Sequence, residues 1–239
     1  VRSYRYDGSS WNQLGQELAY QGSLGPGYNS SEVYKFGHSV HASSDGETII
    51  VGAPISYFHL GSASIWSYNS STSLWVQKGQ EITGDPDNPN IGNLGETGYG
   101  VSMSSDGQTI VVGSKTAPRY GNKQDYEGSP PDYIPGFPEE IASNIISSTP
   151  QGHVRVYDYN TTSSTWVQRG HTIRGIFDES FYFGADVDIS SDGNRVTIGA
   201  PFTNFGMNCV FAWTGSEWVR IGQYIHPASG LGSGTHGDR

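Results

Sequence analysis

Short runs of alternating apolar and polar residues recur along this chain at a period that favours strands over helices. Three segments, "FGHSVHASSDGETIIVGAP" (36–54), "TGYGVSMSSDGQTIVVGSK" (97–115) and "FGADVDISSDGNRVTIGAP" (183–201), align without a gap. In each, a Ser-Ser-Asp-Gly turn precedes a run of β-branched apolar residues. Asp-Gly between two such runs predicts a β-hairpin, because glycine adopts positive φ without steric cost. We name these strands A and B.

A second repeated hairpin, strands C and D, has an aromatic residue, a turn, a Trp and then a Gly four residues later. It occurs at 3–18, 64–82, 155–173 and 210–225. A Trp that recurs at one position is typical of a core between sheets. We therefore predict a structural core at Trp11, Trp75, Trp166 and Trp218, and expect the next repeat to cover each of the last three.

Four antiparallel strands per repeat, with a periodic Gly and aromatic signature, are typical of propeller blades. The predicted fold is all-β, with β-propeller-type four-stranded antiparallel blades in about three and a half repeats. We expect one domain, 1–239, with these parts: a half-blade and linker (1–35), blade 1 (36–96), blade 2 (97–182) with an insertion (115–151), blade 3 (183–225) and a Gly-rich tail (226–239).

The ends of strands A and B carry motifs that resemble a known family. Phe36-Gly37 with Gly52-Ala53-Pro54, and Phe183-Gly184 with Gly199-Ala200-Pro201, resemble FG-GAP repeats, which build the β-propeller heads of integrin α chains. The middle copy departs from both motifs, with Thr97-Gly98 and Gly113-Ser114-Lys115. The resemblance implies a β-propeller in an extracellular or cell-surface protein.

Many members of that family hold calcium in a loop of alternating Asp and Asn residues between the two motifs. Here each turn has a single carboxylate, Asp45, Asp106 or Asp192, whereas calcium takes about six to eight oxygen ligands. Calcium is therefore possible but unsupported by the loop sequences, and we expect no cofactor. Asp85 and Asp87, in "DPDNPN", are weak candidates for a cation site; an Asx-turn linker is the alternative.

Charge and composition narrow the function classes. The chain has 13 Lys and Arg against 23 Asp and Glu, and its basic residues are not clustered, which argues against nucleic acid as a partner. The sequence has no run of about 18 apolar residues, so we predict no membrane insertion. One cysteine, Cys209, cannot form a disulfide within the chain.

Groups for catalysis do not converge in the sequence. The known nucleophile, metalloprotease and phosphate-binding motifs are absent. His38 and His41, three residues apart in a strand, should lie on opposite faces. We interpret Glu139 and Glu140 as a solvated acidic pair. We therefore predict no catalytic residues and no enzyme.

Two further features suggest contacts with other molecules. The insertion holds four aromatic residues among prolines and acidic residues, and we predict that it is an interaction loop. The alternative is a decorative Pro-rich loop. The four aromatic residues are Tyr120, Tyr126, Tyr133 and Phe137. Glycosylation sequons are centred on Asn29, Asn69 and Asn160, the last two at the C–D hairpin tips.

The leading expectation for function is an extracellular, non-enzymatic module for adhesion, or a subunit of a surface fibre or appendage. The first alternative is a lectin-like, carbohydrate-binding propeller, and the second is an enzyme that acts on polysaccharides. Four C–D hairpins against three A–B hairpins leave sheet edges that could pair with another chain. The predicted partner is a protein or a second copy, in a closed homo-oligomer or a filament, and possibly glycans.

Overall fold

The fold is a row of antiparallel β-sheets, each built from one repeat. The computed structural model describes residues 1–20, 35–56, 60–84, 95–116, 152–174, 182–201 and 206–226. Every strand pair within the sheets is antiparallel. The predicted all-β fold of four-stranded antiparallel blades is confirmed, and the described sheets do not close into a ring.

The half-blade and blade 1 supply the first seven strands. β1 (Ser3–Tyr6) and β2 (Trp11–Leu14) form the two-stranded half-blade. Blade 1 has the order β3-β4-β5-β6, and a two-residue β7 also pairs with β5. The bounds are β3 (Val40–Ala42), β4 (Thr48–Ala53), β5 (Ser62–Asn69), β6 (Leu74–Gln77) and β7 (Ile82–Thr83).

Blades 2 and 3 repeat this order. Blade 2 runs β8-β9-β10-β11, with a two-residue β12 on β10, and blade 3 runs β13-β14-β15-β16. The bounds are β8 (Thr97–Met103), β9 (Thr109–Ser114), β10 (His153–Asn160), β11 (Thr165–Gln168), β12 (Ile173–Arg174), β13 (Asp186–Ile189), β14 (Arg195–Ala200), β15 (Met207–Trp213) and β16 (Trp218–Ile225). The fifth strands β7 and β12 extend the predicted four-stranded pattern.

The core lies between blades rather than inside any one sheet. Ile50 and Ile65 of blade 1 pack in one cluster with Met103 and Ile110 of blade 2. A second cluster joins blades 2 and 3 and is larger, with Val111, Val154, Val156, Ile189, Val196 and Ile198 among its members. Each sheet is thin, so its apolar face is covered only when the neighbouring repeat stacks on it.

Paired glycines allow successive blades to come into backbone contact. A Cβ on Gly52 would lie 2.0 Å from the carbonyl oxygen of Gly98, and one on Gly113 would lie 2.0 Å from that of Gly184. Any larger residue would force the blades apart. The Gly that opens the GAP position of one repeat therefore meets the Gly at the FG position of the next repeat across each of these interfaces, even though the middle copy lacks the other motif residues.

The repeated Trp forms the outer part of the same interface. Trp75, Trp166 and Trp218 are 3%, 3% and 1% exposed. Their indole N–H groups donate to backbone carbonyls of the preceding repeat, at Leu14 (2.8 Å), Lys78 (2.7 Å) and Arg169 (2.8 Å). The expectation that the next repeat covers each Trp is therefore wrong in direction.

The exposure of Trp11 shows that the prediction of four core tryptophans is wrong at this position. Trp11 is 69% exposed. The reason is the direction of the contact, because a Trp is buried by the repeat before it and none of the described residues lies there for Trp11. Its ring instead packs on Tyr6, with centroids 5.3 Å apart.

Candidate functional site

The two faces of the blade row differ in chemistry. One face, the turn face, carries the Ser-Ser-Asp-Gly turns between strands A and B. The other, the loop face, carries the start of each strand A and the end of each strand B. Five side chains there form what we call the loop-face cluster: His38, Glu96, Tyr99, Lys115 and Tyr182.

The repeat register explains why these side chains meet. His38 and Tyr99 occupy the same position of neighbouring repeats, one residue after the Gly of the FG motif. Glu96 and Tyr182 also share one position, just before that motif. Lys115 stands where the other two repeats have proline, so blade 2 places a cation where its neighbours have a rigid apolar ring.

Lys115 is the centre of the cluster. Its Nζ lies 3.4 Å from Glu96 Oε2, and the two side chains are 17% and 23% exposed. The same ammonium lies 3.5 Å from the ring centroid of Tyr99 and 5.2 Å from that of Tyr182. Such a cation over two aromatic faces is held by the ring quadrupoles as well as by the carboxylate.

The backbone that presents the cluster is strained. Glu96 and Tyr182 have φ values of 46° and 63°, in the left-handed region that non-glycine residues rarely adopt. Lys35, at the same position just before blade 1, has φ of 49°. Each such residue costs about 1–3 kcal/mol. Because the conformation recurs before all three blades, it belongs to the repeat, and it places Glu96 and Tyr182 at equivalent points of the loop face.

His38 contributes a neutral imidazole. Its ring lies 4.3 Å from that of Tyr99, centroid to centroid. Burial lowers the pKa of His38, and the positive charges of Lys35 and Lys115 lower it further, although Glu96 opposes them. At neutral pH the ring is therefore uncharged and able to accept a proton.

Buried polar atoms also lie at the loop end of blade 2. Among the described residues, Thr116 Oγ1 and His153 Nδ1 have no hydrogen-bond partner, and Glu96 Oε2 has only its ion pair with Lys115. His153 lies beside Ser114 in the sheet, one residue from Lys115. Burial, together with Arg155 and Arg174, holds the pKa of His153 well below its usual range. Buried groups left unpaired in this way are favourable positions for a polar ligand.

Some of the sites predicted from sequence lie among the described residues, and others do not. Asn69 and Asn160 lie at exposed hairpin tips, where their Oδ1 atoms accept backbone N–H groups of Ser71 (3.0 Å) and Thr162 (2.9 Å) in Asx turns. Their glycosylation stays a prediction. Several other predicted sites lie outside the described residues: Asn29, Asp85, Asp87, Tyr120, Tyr126, Tyr133, Phe137, Glu139 and Glu140.

The described ranges contain neither a candidate metal centre nor a helix that could cross a membrane. Within them, no three His, Cys, Asp or Glu side chains lie close enough to hold a metal ion. His41 Nδ1 accepts the N–H of Met103 at 3.3 Å, away from the His38 ring stacked on Tyr99. No helix among these residues is long and apolar enough to span a membrane.

Sequence reasoning considered His38 but assigned it no role, and it passed over the other four cluster members. The signal that could have found them is the departure of the middle repeat from the FG and GAP motifs. A repeat that loses its family residues loses packing at that point, and the replacement then needs another explanation. Lys115 in place of a proline is such a replacement.

Comparisons with known proteins support the fold and correct the expectation for function. No protein-family model matches the chain, and no curated protein matches it by sequence. Among solved structures, a protein from Lactobacillus plantarum is similar at 12% identity and a TM-score of 0.51, over 98% of this chain and 50% of that one. At that identity the similarity shows the fold alone.

Two other similar structures are described as lactonases. A putative 6-phosphogluconolactonase from Bacteroides fragilis matches at 14% identity and a TM-score of 0.45, over 78% of this chain and 38% of that one. The periplasmic gluconolactonase of Pseudomonas aeruginosa matches at 13% identity and a TM-score of 0.41, over 95% of this chain and 65% of that one. This chain thus spans less than two thirds of the length of each of them.

These similarities contradict the leading expectation for function. A non-enzymatic module for adhesion or for a surface fibre was expected, whereas the similar structures include proteins described as a putative 6-phosphogluconolactonase and a gluconolactonase. The expectation of no enzyme rests on the absence of a catalytic motif. That absence carried little weight, because a site assembled from single residues of different repeats leaves no local motif.

Proposed function

We propose that this chain is part of a hydrolytic enzyme that acts on a small sugar-derived ester or lactone at the loop-face cluster. The observation that carries the proposal is the ion pair of Lys115 and Glu96, less than a quarter exposed and held over the ring of Tyr99. A partly buried ion pair contributes little to stability, because desolvation offsets its attraction. A role in ligand chemistry gives it a reason to be there.

Each member of the cluster has a part in the proposed reaction. His38, neutral at working pH, accepts a proton from a water molecule, whose oxygen attacks the carbonyl carbon of the substrate. Lys115 stabilises the negative charge that develops on the carbonyl oxygen. The C–O bond of the ester or lactone then breaks, and the leaving alkoxide takes the proton back from His38. The products are a carboxylic acid and an alcohol.

Glu96 and the two tyrosines are positioning residues in this scheme. Glu96 holds the Lys115 ammonium in place, and the rings of Tyr99 and Tyr182 flank it. Aromatic faces with a hydroxyl at one end suit a sugar-derived substrate, which presents both C–H groups and hydroxyls. The unpaired Thr116 Oγ1 and His153 Nδ1 at the same end of blade 2 offer further hydrogen bonds to substrate hydroxyls.

The test is hydrolysis of gluconolactone, followed as acid release above the spontaneous rate. Lys115→Met and His38→Gln should each lower the rate by about 100-fold. Lys78→Met is the matched control, because Lys78 Nζ also lies over aromatic rings, 4.7 Å from that of Tyr159, but it donates to Gly107 O on the turn face. The control should keep full activity.

The rate should also depend on pH in one direction. Because the pKa of His38 is lowered from 6.5, the rate should be constant at neutral pH and fall only as the pH drops through that lowered value, where the ring takes up a proton. Absence of lactone and ester hydrolysis by the unaltered chain would overturn the proposal, as would a Lys115→Met variant with undiminished rate.

We also propose that the repeats belong to the FG-GAP type and that the protein is exported from the cytoplasm. Support comes from the contact between Gly52 of the GAP motif and Gly98 of the next repeat, which gives the two motifs a shared structural reason. Fractionation of the source cells with an antibody to the chain tests the location, and recovery only in the cytoplasm would contradict it.

A further inference from the structure

The interfaces between successive repeats share a Trp and a Gly at equivalent positions, and the two that follow Gly15 and Gly79 also share a Gln, where the third has His171. The indole of each buried Trp lies over the Gly that follows the Trp of the preceding repeat. A Cβ on Gly15 would lie 2.7 Å from the Trp75 ring, and one on Gly79 would lie 2.8 Å from the Trp166 ring. Only a glycine leaves room for the indole at this distance.

A glutamine completes the contact. Gln80 Nε2 donates to Trp166 O at 2.6 Å, and Trp166 N–H donates to Gln80 Oε1 at 2.8 Å. Gln16 makes the same two bonds to Trp75, both at 2.8 Å. The contact therefore combines a buried ring, an indole hydrogen bond to a carbonyl and a paired amide, a combination that fixes both position and direction.

Blade 3 presents the receiving half of this contact at its outer edge. Gly222 has φ of 72°, against 71° and 74° for Gly15 and Gly79. No described atom lies within 4 Å of where its Cβ would be. Gln223, which follows it, is exposed, and Ile221 supplies the carbonyl that precedes it. We call residues 221–223 the Gly222 socket.

The half-blade presents the inserting half. Trp11 is exposed, and it stands opposite Tyr6 in the sheet. Trp75 stands opposite Tyr68 in the same register, so the backbone of Trp11 faces outward as that of Trp75 does. Exposed aromatic residues of this kind are typical anchors of interfaces. We call β1 and β2 the Trp11 hairpin.

We propose that the Trp11 hairpin of one copy of this chain docks on the Gly222 socket of a second copy. The contact repeats the one that joins blades within the chain: the indole over Gly222, the indole N–H to the carbonyl of Ile221 and the amide of Gln223 on the backbone of Trp11. The two surfaces differ, so the contact is head-to-tail. It concerns assembly and is independent of the hydrolysis proposed above.

Sedimentation velocity of the full chain over a micromolar range of concentrations tests the contact. The unaltered chain should associate as concentration rises. Trp11→Ala removes the ring, and Gly222→Ala adds a Cβ in the path of the ring; each should weaken association by about tenfold or more. Val167→Ala, which removes a half-exposed apolar side chain (50%) from β11, should associate like the unaltered chain.

Mixing the two variants gives the sharpest result. Trp11→Ala keeps its socket and Gly222→Ala keeps its Trp11 hairpin, so an equimolar mixture should form a dimer and stop there. Circular dichroism checks that each variant folds, and Gln223→Ala replaces Gly222→Ala if that one does not. The proposal is overturned if the unaltered chain is a monomer throughout, if Trp11→Ala associates normally, or if the mixture stays monomeric.

Discussion

The Trp of strand D contributes very differently to the free energy of unfolding at its four positions. Trp166 is covered on one side by Gly79 and bonded to Lys78 and Gln80, whereas Trp11 lies largely in solvent. The difference does not come from the local sequence, since both follow an aromatic strand and a polar turn. It comes from whether a preceding repeat among the described residues covers the ring.

Truncation of Trp166 should therefore be costly. We expect Trp166→Ala to lower the free energy of unfolding by about 3–5 kcal/mol, through lost burial and the cavity that remains. Trp166→Phe should lose less, because it keeps most of the ring but not the hydrogen bond to Lys78 O. Denaturant unfolding at low protein concentration measures both. Trp11→Ala is the control, with an expected change within about 0.5 kcal/mol, and an equal loss from both Ala variants would contradict the interface described here.

At the scale of elements, the A–B hairpins are closed by side chains as well as by glycine. In blade 2, Ser104 Oγ donates to Asp106 Oδ1 at 2.6 Å, and the backbone N–H of Gln108 donates to the same oxygen at 3.0 Å. Blades 1 and 3 repeat the arrangement with Asp45 and Asp192. These carboxylates are turn formers, which agrees with their interpretation from sequence.

The same turns also link neighbouring blades. The N–H of Ser44 donates to Ser105 O at 2.9 Å, and the N–H of Ser105 donates to Ser191 O at 3.0 Å. The Ser-Ser-Asp-Gly motif therefore has two duties, to close its own hairpin and to align it with the next. Both depend on the turn keeping its shape.

Two variants of Asp106 distinguish the effect of its hydrogen-bond acceptor from the effect of its charge on stability. Asp106→Ala should lower the free energy of unfolding by about 1–2 kcal/mol, since two donors lose their acceptor at an exposed site. Asp106→Asn keeps an Oδ1 that can accept both bonds, so its loss should be clearly smaller. Thermal and denaturant unfolding of the two variants decide the matter. Equal losses would show that charge, rather than hydrogen bonding, stabilises the turn.

At the scale of the whole molecule, the blades form a row in which each contacts its neighbours. The apolar clusters lie at the successive interfaces, and among the described residues the strands of blade 1 share no cluster with those of blade 3. Stability in such an array is close to a sum of repeat and interface contributions. Damage to one interface should therefore stay local.

Hydrogen exchange of a Trp218→Ala variant tests this locality. Trp218 joins blade 3 to Arg169 and Gly170 of blade 2. We expect amides of β13–β16 to lose protection while those of β3–β6 keep theirs, since opening of one repeat does not require opening of the others. Val167→Ala serves as the unperturbed reference. Uniform loss of protection across all blades would show that the row unfolds as a single unit.

The sequence by itself determined the strands, the turns and the number of repeats. Alternation, Asp-Gly turns and a recurring Trp are local signals, and a repeated local signal is reinforced with each copy. It did not determine the direction in which repeats cover one another, so Trp11 was misplaced. It also did not reveal the loop-face cluster, since His38 was assigned no role and the other four members were not singled out.

Only the tertiary structure decided which residues of different repeats meet. Glu96 and Lys115 are separated by the whole A–B hairpin of blade 2, and Tyr182 immediately precedes blade 3, yet Glu96 and Tyr182 both lie beside the Lys115 ammonium group. That meeting depends on how closely the blades stack, which the glycine contacts at Gly52 and Gly113 set. Stacking is a property of two sheets at once, and no stretch of one strand encodes it.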